Sequence, residues 1–311
     1  MLDIIDLDAL HRRDAAAGAH IGAQLAHACR EVGFFYLRNH GIPESLLAGI
    51  FAASRAFFAS PRSEKDALSI ARSKHNRGYV GLSTESLDPV HADFKEAFNI
   101  GLDLTADDPE VQAGKPFRGV NVWPRTPGFR ATALAYFNAV WRLGCDLHEA
   151  IAADLKLPPR YFADKLDRPM ATLRLLHYPP RAVERGEALG AGEHTDYGSI
   201  TLLLNDDAGG LDVRRRDGTW VEAPPIPGAF VCNIGDSLMR WSNDIYISTP
   251  HRVKNPPGRD RYSVAFFLDP NPEVSLACLP GCSTPENPAK YPPIKAADYL
   301  RARLDATYGK H

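Results

Sequence analysis

An α+β fold with a mainly β core is what the 311-residue sequence predicts. Apolar residues recur at helical spacing through the first part of the chain. After Leu173 the texture changes to short apolar runs separated by Gly, Pro, Asn and Asp, as in a sandwich or barrel. No repeat, low-complexity tract or linker divides the two parts, so one domain with a helical layer on a double sheet is the simplest account.

Taken in order, residues 4–7 read as a short strand. Ile21, Leu25, Ala28 and Val32 line one face of a helix stopped by Gly33, and residues 34–37 form a buried strand. Residues 39–43 are a turn, after which Ser45 is placed to cap a helix carrying Leu46, Ile50, Phe57 and Phe58. Residues 61–108 are irregular, with 77–81 and 96–101 as ordered parts; long irregular segments in a compact domain serve as covers or functional loops. Leu134, Phe137, Trp141, Cys145, Leu147 and Ile151 predict a long helix over 129–155, and a short helix follows Pro158 as far as Lys165. Strands are expected at 174–178, 199–205, 211–214, 219–222, 230–234, 251–254 and 262–268, with Arg216-Asp217-Gly218 as a hairpin turn. Residues 280–293 form a Pro-rich loop, and 296–308 a terminal helix. Within the single domain 1–311, residues 1–170 are thus expected to be mainly helical, 171–275 to form the β core, and 276–311 to be the C-terminal loop and helix.

Composition narrows the function. With 44% hydrophobic residues, 24% charged residues and a net charge of −2, the chain has no block of like charge and no surplus of Lys and Arg for phosphates, so nucleic acid is not an expected partner. No apolar segment approaches the length of a membrane span, and the acidic start does not resemble a secretory signal, so no membrane is expected and the cytoplasm is the predicted location. Five cysteines, an odd number without C-x-x-C, read as free thiols rather than a disulfide framework or zinc knuckle.

The stretch that carries chemistry is Ala191-Gly192-Glu193-His194-Thr195-Asp196-Tyr197-Gly198. On an extended strand, residues two apart share a face, so His194 and Asp196 would aim at one point. Two His and one carboxylate suit non-haem Fe(II) and leave coordination positions open, and His251 is the candidate for the second His. The tripeptide alone says little: 11 His and 38 acidic residues give about 1.3 accidental matches, and His91-Ala92-Asp93 is another. That second match has no strand to aim it. The first has context, since His251 follows Asp196 by 55 residues and Arg261-Tyr262-Ser263 begins 10 residues later.

This spacing resembles that of the Fe(II)- and 2-oxoglutarate-dependent oxygenases, in the isopenicillin N synthase-like branch, whose pattern is H-x-D, about fifty residues, H, about ten residues, then R-x-S. Residues 28–42, Asn121-Val122-Trp123-Pro124 and His251-Arg252-Val253 also fit, so the resemblance covers nearly the whole chain. It implies that the β core is a double-stranded β-helix, or jelly roll, with the metal inside one end, which the N-terminal helical layer and C-terminal helix read from the periodicity would flank. It further implies His194, Asp196 and His251 as ligands of Fe(II), with 2-oxoglutarate as cosubstrate and dioxygen as oxidant. Decarboxylation of 2-oxoglutarate to succinate would be coupled to hydroxylation, desaturation or ring closure of a small molecule. Arg261 suits the far carboxylate of 2-oxoglutarate because its guanidinium pairs bidentately and is always charged. Ser263 shares its strand face, and Tyr178 matches a tyrosine that contacts the same carboxylate in plant members. Where those members often carry Asn two residues earlier, this chain has Leu176, with Arg174 on the same parity.

Arg77, Tyr79, Phe98, Arg174 and the loop 278–293 are the expected substrate-side residues. His40, His177, Trp123, Trp141 and Trp241 are expected to be structural. Two other readings stay open: an Fe(II) oxidase of the same branch that uses no 2-oxoglutarate, and a non-catalytic metal-binding jelly roll. Substrate identity and oligomeric state are not encoded in these motifs.

Overall fold

A computed structural model of the chain describes residues 2–8, 15–82, 84, 93–180, 189–255 and 257–308, so His91 of the second His-x-Asp match lies outside the described residues. The strands in chain order are β1 (Asp3–Asp6), β2 (Phe34–Arg38), β3 (Gly78–Val80), β4 (Glu96–Gly101), β5 (Thr172–Tyr178), β6 (Leu189–His194), β7 (Ile200–Asn205), β8 (Leu211–Arg214), β9 (Trp220–Glu222), β10 (Phe230–Ile234), β11 (His251–Lys254) and β12 (Arg261–Leu268). The helices are α1 (Ala15–Glu31), α2 (Glu44–Phe58), α3 (Arg62–Asp66), α4 (Pro109–Gln112), α5 (Phe129–Asp154), α6 (Asp236–Trp241) and α7 (Ala296–Tyr308). An eight-stranded sheet in the order β1-β2-β10-β7-β12-β5-β4-β3 faces a four-stranded sheet in the order β6-β11-β8-β9. This is the expected jelly roll, antiparallel throughout except where β1 pairs with β2.

Alternation along the strands divides the core in two. Val264, Phe266 and Leu268 of β12, Leu173 and Leu175 of β5, and Ile200, Leu202 and Leu204 of β7 face outward into a core closed by α5. There Phe137 meets Phe266 edge to face with ring centroids 5.0 Å apart. Gly144 permits this close approach, since a Cβ at that position would come within 2.6 Å of Leu268 Cδ2. The intervening residues point inward: Ala265, Leu176, Tyr178, Val231, Phe34 and Tyr36 meet Ala191, Leu211, Val213 and Val253 of the small sheet.

Several elements depart from expectation. Helix α2 begins at Glu44 behind Pro43 and has no side-chain cap; the Pro43 carbonyl accepts from the Leu46 and Leu47 amides, which leaves Ser45 without the capping role expected of it. The region 61–108 is less irregular than its sequence suggests, because it holds α3, β3 and β4. Strand β4 is buried throughout and lies between β3 and β5. Its Glu96 and Asn99 give it a polar look, yet Phe98 and Ile100 on alternate positions enter the outer core. The N-terminal 170 residues therefore supply four strands to the large sheet as well as helices. After Pro158 only a 3-10 turn forms, at Ala163–Lys165, because Arg160 adopts a left-handed conformation (φ 60°) that interrupts an α-helix. Strand β6, with two glycines in six residues, escapes pattern reading. Gly190 is required there, since a Cβ would meet the Tyr178 ring at 2.6 Å. Among the described residues, no helix is long and apolar enough to cross a membrane.

Candidate metal centre and active site

His194 is the last residue of β6 and pairs across the small sheet with His251, the first residue of β11, which sets their rings side by side with centroids 4.3 Å apart. Asp196 does not continue the strand. It lies in the turn that follows, so the two side chains converge through a loop rather than through the pleat. That loop is held by the start of α6: the Asp236 amide donates to the Asp196 carbonyl at 2.7 Å, and the Ser237 amide donates to the carbonyls of Tyr197 and Gly198. The buried Asp196 carboxylate, 7% exposed, has one oxygen occupied, since Oδ2 accepts from Thr201 Oγ1 at 2.6 Å and from Asn233 Nδ2 at 2.8 Å.

The other oxygen, Oδ1, faces His194 Nε2 at 3.9 Å and His251 Nε2 at 3.7 Å, distances too long for hydrogen bonds. Both rings are oriented from behind: His194 Nδ1 donates to the Gly192 carbonyl at 2.7 Å and His251 Nδ1 to the Thr249 carbonyl at 3.1 Å. A carbonyl only accepts, so the proton sits on Nδ1 and each Nε2 lone pair points at the shared space. Burial, reinforced by His251, lowers the His194 pKa to about 3, keeping the imidazole neutral. Burial opposes the Asp196 charge, but His251, His194 and the bonds from Thr201 and Asn233 outweigh it and hold the carboxyl below its usual range. Three donor atoms, all within 4.8 Å of one another, therefore face a common point: two imidazole nitrogens and one carboxylate oxygen. Such a set fits Fe(II).

The triad opens into a cavity walled by the inward residues of the paired strands β5 and β12. At one end Arg261, 1% exposed, forms no ion pair among the described residues. Its Nε donates to the Gly209 carbonyl at 2.8 Å, Nη1 to Ser263 Oγ at 3.2 Å and Nη2 to Asn205 Oδ1 at 2.8 Å. The guanidinium lies 4.7 Å from the centroid of the Tyr178 ring. A buried guanidinium without a carboxylate is a ready anion site. Leu176 lines the same wall between Tyr178 and Arg174.

The expected substrate-side residues separate. Arg174 faces the cavity and donates to Asn99 Oδ1 at 3.3 Å. Arg77 is buried beneath it, with its guanidinium on the carbonyls of His75, Asn76 and Phe117. Tyr79 points outward and donates to Glu96 at 2.6 Å, while Phe98 packs on Phe57 and Phe129. Leu300 and Leu304 of α7, rather than the loop 278–293, line the cavity on its open side. His40 and His177 have structural partners, the first on the Gly228 carbonyl and the second on Glu96 and Asp260. Asp93 of the other His-x-Asp match pairs with Lys95 at 2.6 Å. Thr201, Asn205 and Asn233 were not anticipated, although a signal existed: each is a polar residue interrupting an otherwise apolar strand at the inward parity.

The family described as the 2OG-Fe(II) oxygenase superfamily matches residues 169–270, and the family described as non-haem dioxygenase in morphine synthesis N-terminal matches residues 2–126. The 2-oxoglutarate-Fe(II) type oxidoreductase hxnY of Emericella nidulans is 38% identical over 315 residues, spanning 99% of this chain and 90% of that protein. The chain belongs to the 2-oxoglutarate- and Fe(II)-dependent oxygenases. A full-length Neurospora crassa protein in complex with alpha-KG is similar in structure, with a TM-score of 0.88, 34% identity, and coverage of 99% of this chain and 96% of that one. The complex of that Neurospora crassa protein with alpha-KG and thymine gives a TM-score of 0.87 at 34% identity, covering 99% and 97%. As a member of this family the protein is an oxidoreductase, a non-haem dioxygenase that uses Fe(II), 2-oxoglutarate and dioxygen. That kinship sets aside both the oxidase that dispenses with 2-oxoglutarate and the non-catalytic jelly roll.

Proposed function

We propose that His194 and His251 through Nε2, and Asp196 through Oδ1, hold the iron of this dioxygenase, and that Arg261 holds the far carboxylate of 2-oxoglutarate. The observation that carries this reading is the division of labour within each side chain: the rear atoms are tied to Gly192, Thr249, Thr201 and Asn233, and the front atoms converge. Fe(II), when bound, supplies the redox centre at which dioxygen oxidises 2-oxoglutarate to succinate and carbon dioxide. Arg261 binds and orients the dicarboxylate, with Ser263 and Asn205 keeping its guanidinium in plane and Tyr178 stacked beside it. Leu176, Ala191, Leu203 and Val253 exclude water around that charge pair and so strengthen it.

The substrate of this reading is a small polar molecule bound between Arg174 and α7. The Neurospora crassa protein, crystallised with thymine, supports a substrate of that size. The chain acts as one catalytic unit, because β1–β4 of the N-terminal part share the large sheet with β5, β7, β10 and β12, and the small sheet that carries the two histidines packs against it. A net charge of −2 supports partners other than nucleic acid or membrane, and five unpaired cysteines fit the reducing cytoplasm. The test is Arg261→Leu: the 2-oxoglutarate requirement for succinate release should rise about 100-fold, with iron affinity nearly intact. A large loss of iron affinity with 2-oxoglutarate dependence unchanged contradicts the assignment.

A further inference from the structure

Asp269 follows β12 directly and keeps the parity of Arg261, Ser263, Ala265 and Phe267, so its carboxyl enters the cavity at the end remote from Arg261. It is 5% exposed, and among the described residues it makes no hydrogen bond or ion pair. The charge that acts on it is that of Asp196, of the same sign. The carboxyl rests against Gly198, where a Cβ would stand 2.8 Å from Asp269 Oδ1, so the turn carrying Asp196 has room for this acid only because residue 198 is glycine.

No donor of the described residues meets this carboxyl, and its place on the cavity lining leaves it open to a ligand. Every other buried acid at this site is served: Asp196 by Thr201 and Asn233, Asp93 by Lys95 and the Gly192 amide. On the same sheet, along the neighbouring strands β5 and β4, the cavity is lined by the Arg174 guanidinium, which donates to Asn99 Oδ1, and by Asn99, whose amide donates to Asn76. The complement of a cavity whose lining offers this lone carboxyl acceptor is a molecule carrying an N–H donor.

We propose that Asp269 is a specificity-determining residue that accepts a hydrogen bond from an amide-type N–H of the substrate, such as that of a lactam, imide or pyrimidine ring. This rests on the reading above that the cavity beside Arg174 is the substrate site. An N–H substrate gains over its N-methyl analogue by the bond it makes to a carboxyl that no donor of the described residues reaches.

The test uses the iron-loaded enzyme with 2-oxoglutarate and matched probes: thymine and 1,3-dimethylthymine, 2-pyrrolidinone and N-methyl-2-pyrrolidinone, succinimide and N-methylsuccinimide. In the wild type at least one N–H member should stimulate succinate release about tenfold or more over its methylated partner. Asp269→Asn, which keeps an acceptor oxygen, should retain part of that preference, and Asp269→Leu should erase it. No preference for any N–H member, or a preference that survives Asp269→Leu, overturns the proposal. A second readout needs no substrate: Asp269→Leu should melt no lower than the wild type, and a fall of several degrees assigns the carboxyl to folding instead. Binding of 2-oxoglutarate to the wild type without any probe separates the failures. Its absence sinks the site reading as a whole, whereas its presence beside a failed preference sinks only the role of Asp269.

Discussion

The outer and inner faces of the large sheet are made by the same strands and obey opposite rules. Along β12 the outward residues Val264, Phe266 and Leu268 are all apolar and are covered by α5, whereas the inward series mixes Ala265 and Phe267 with Arg261, Ser263 and, just beyond the strand, Asp269, polar or charged groups that are just as buried. On β7 the outward set is Ile200, Leu202 and Leu204, and the inward set includes Thr201 and Asn205. The outer face gains from burial in proportion to area, which tolerates any apolar group of the right shape. The inner face holds polar groups out of water, which is tolerable only where each finds a partner in the protein or in a ligand. Stability and chemistry are thus separated by strand parity.

Removing the inward carboxylate should have the largest effect. Asp196→Ala should abolish iron-dependent turnover, a loss well beyond the roughly 10–100-fold typical of deleting a supporting partner of a ligand, while the metal-free protein stays folded by circular dichroism. Retained iron binding would place the centre elsewhere. Truncation on the outer face should do the reverse: Phe266→Ala should cost roughly 3–5 kcal/mol in denaturant unfolding and leave the iron affinity of the folded fraction near that of the wild type. An affinity that falls in step with stability would mean that the two faces are not separable.

His148 sharpens the contrast, because it joins them. Wholly buried on α5, it bonds the Gly144 carbonyl and Ser199 Oγ at 2.7 Å each, and burial lowers its pKa from 6.5 to about 4. The folded state thus resists protonation, so its stability is complete above pH 6.5 and falls as acid protonates the unfolded chain down to about pH 4, by about 3 kcal/mol in all. Unfolding free energies measured across that range should show this slope, and His148→Gln should flatten it. The smallest expected change is Thr201→Val, which removes one of two bonds to Asp196 Oδ2 at nearly constant volume and should weaken iron binding by roughly tenfold.

What could be read from the sequence follows the same division. Outward residues betray themselves by period, which is why α5, β7, β10 and β12 are legible from Leu134, Phe137, Leu202, Phe230 and their neighbours. The triad is legible because His194, Asp196, His251 and Arg261 keep a recognisable spacing, not because the tripeptide alone means much. Strand β6 is hidden by Gly190 and Gly192; the purpose of Gly190, room for the Tyr178 ring, exists only in three dimensions. The substrate wall was the least legible. Tyr79 and Phe98 look like pocket aromatics but face the outer core, and Asp269 reads as an ordinary turn acid ahead of Pro270 until its parity and isolation are seen.

The most direct test of the inner-face account is an anaerobic titration of the metal-free enzyme with Fe(II) and then with 2-oxoglutarate, followed in the visible spectrum. A charge-transfer band should grow only when both are present, reach its maximum at one equivalent of iron, be absent in Asp196→Ala, and need about 100-fold more 2-oxoglutarate in Arg261→Leu. A band that persists in Asp196→Ala, or that titrates identically in Arg261→Leu, would contradict it.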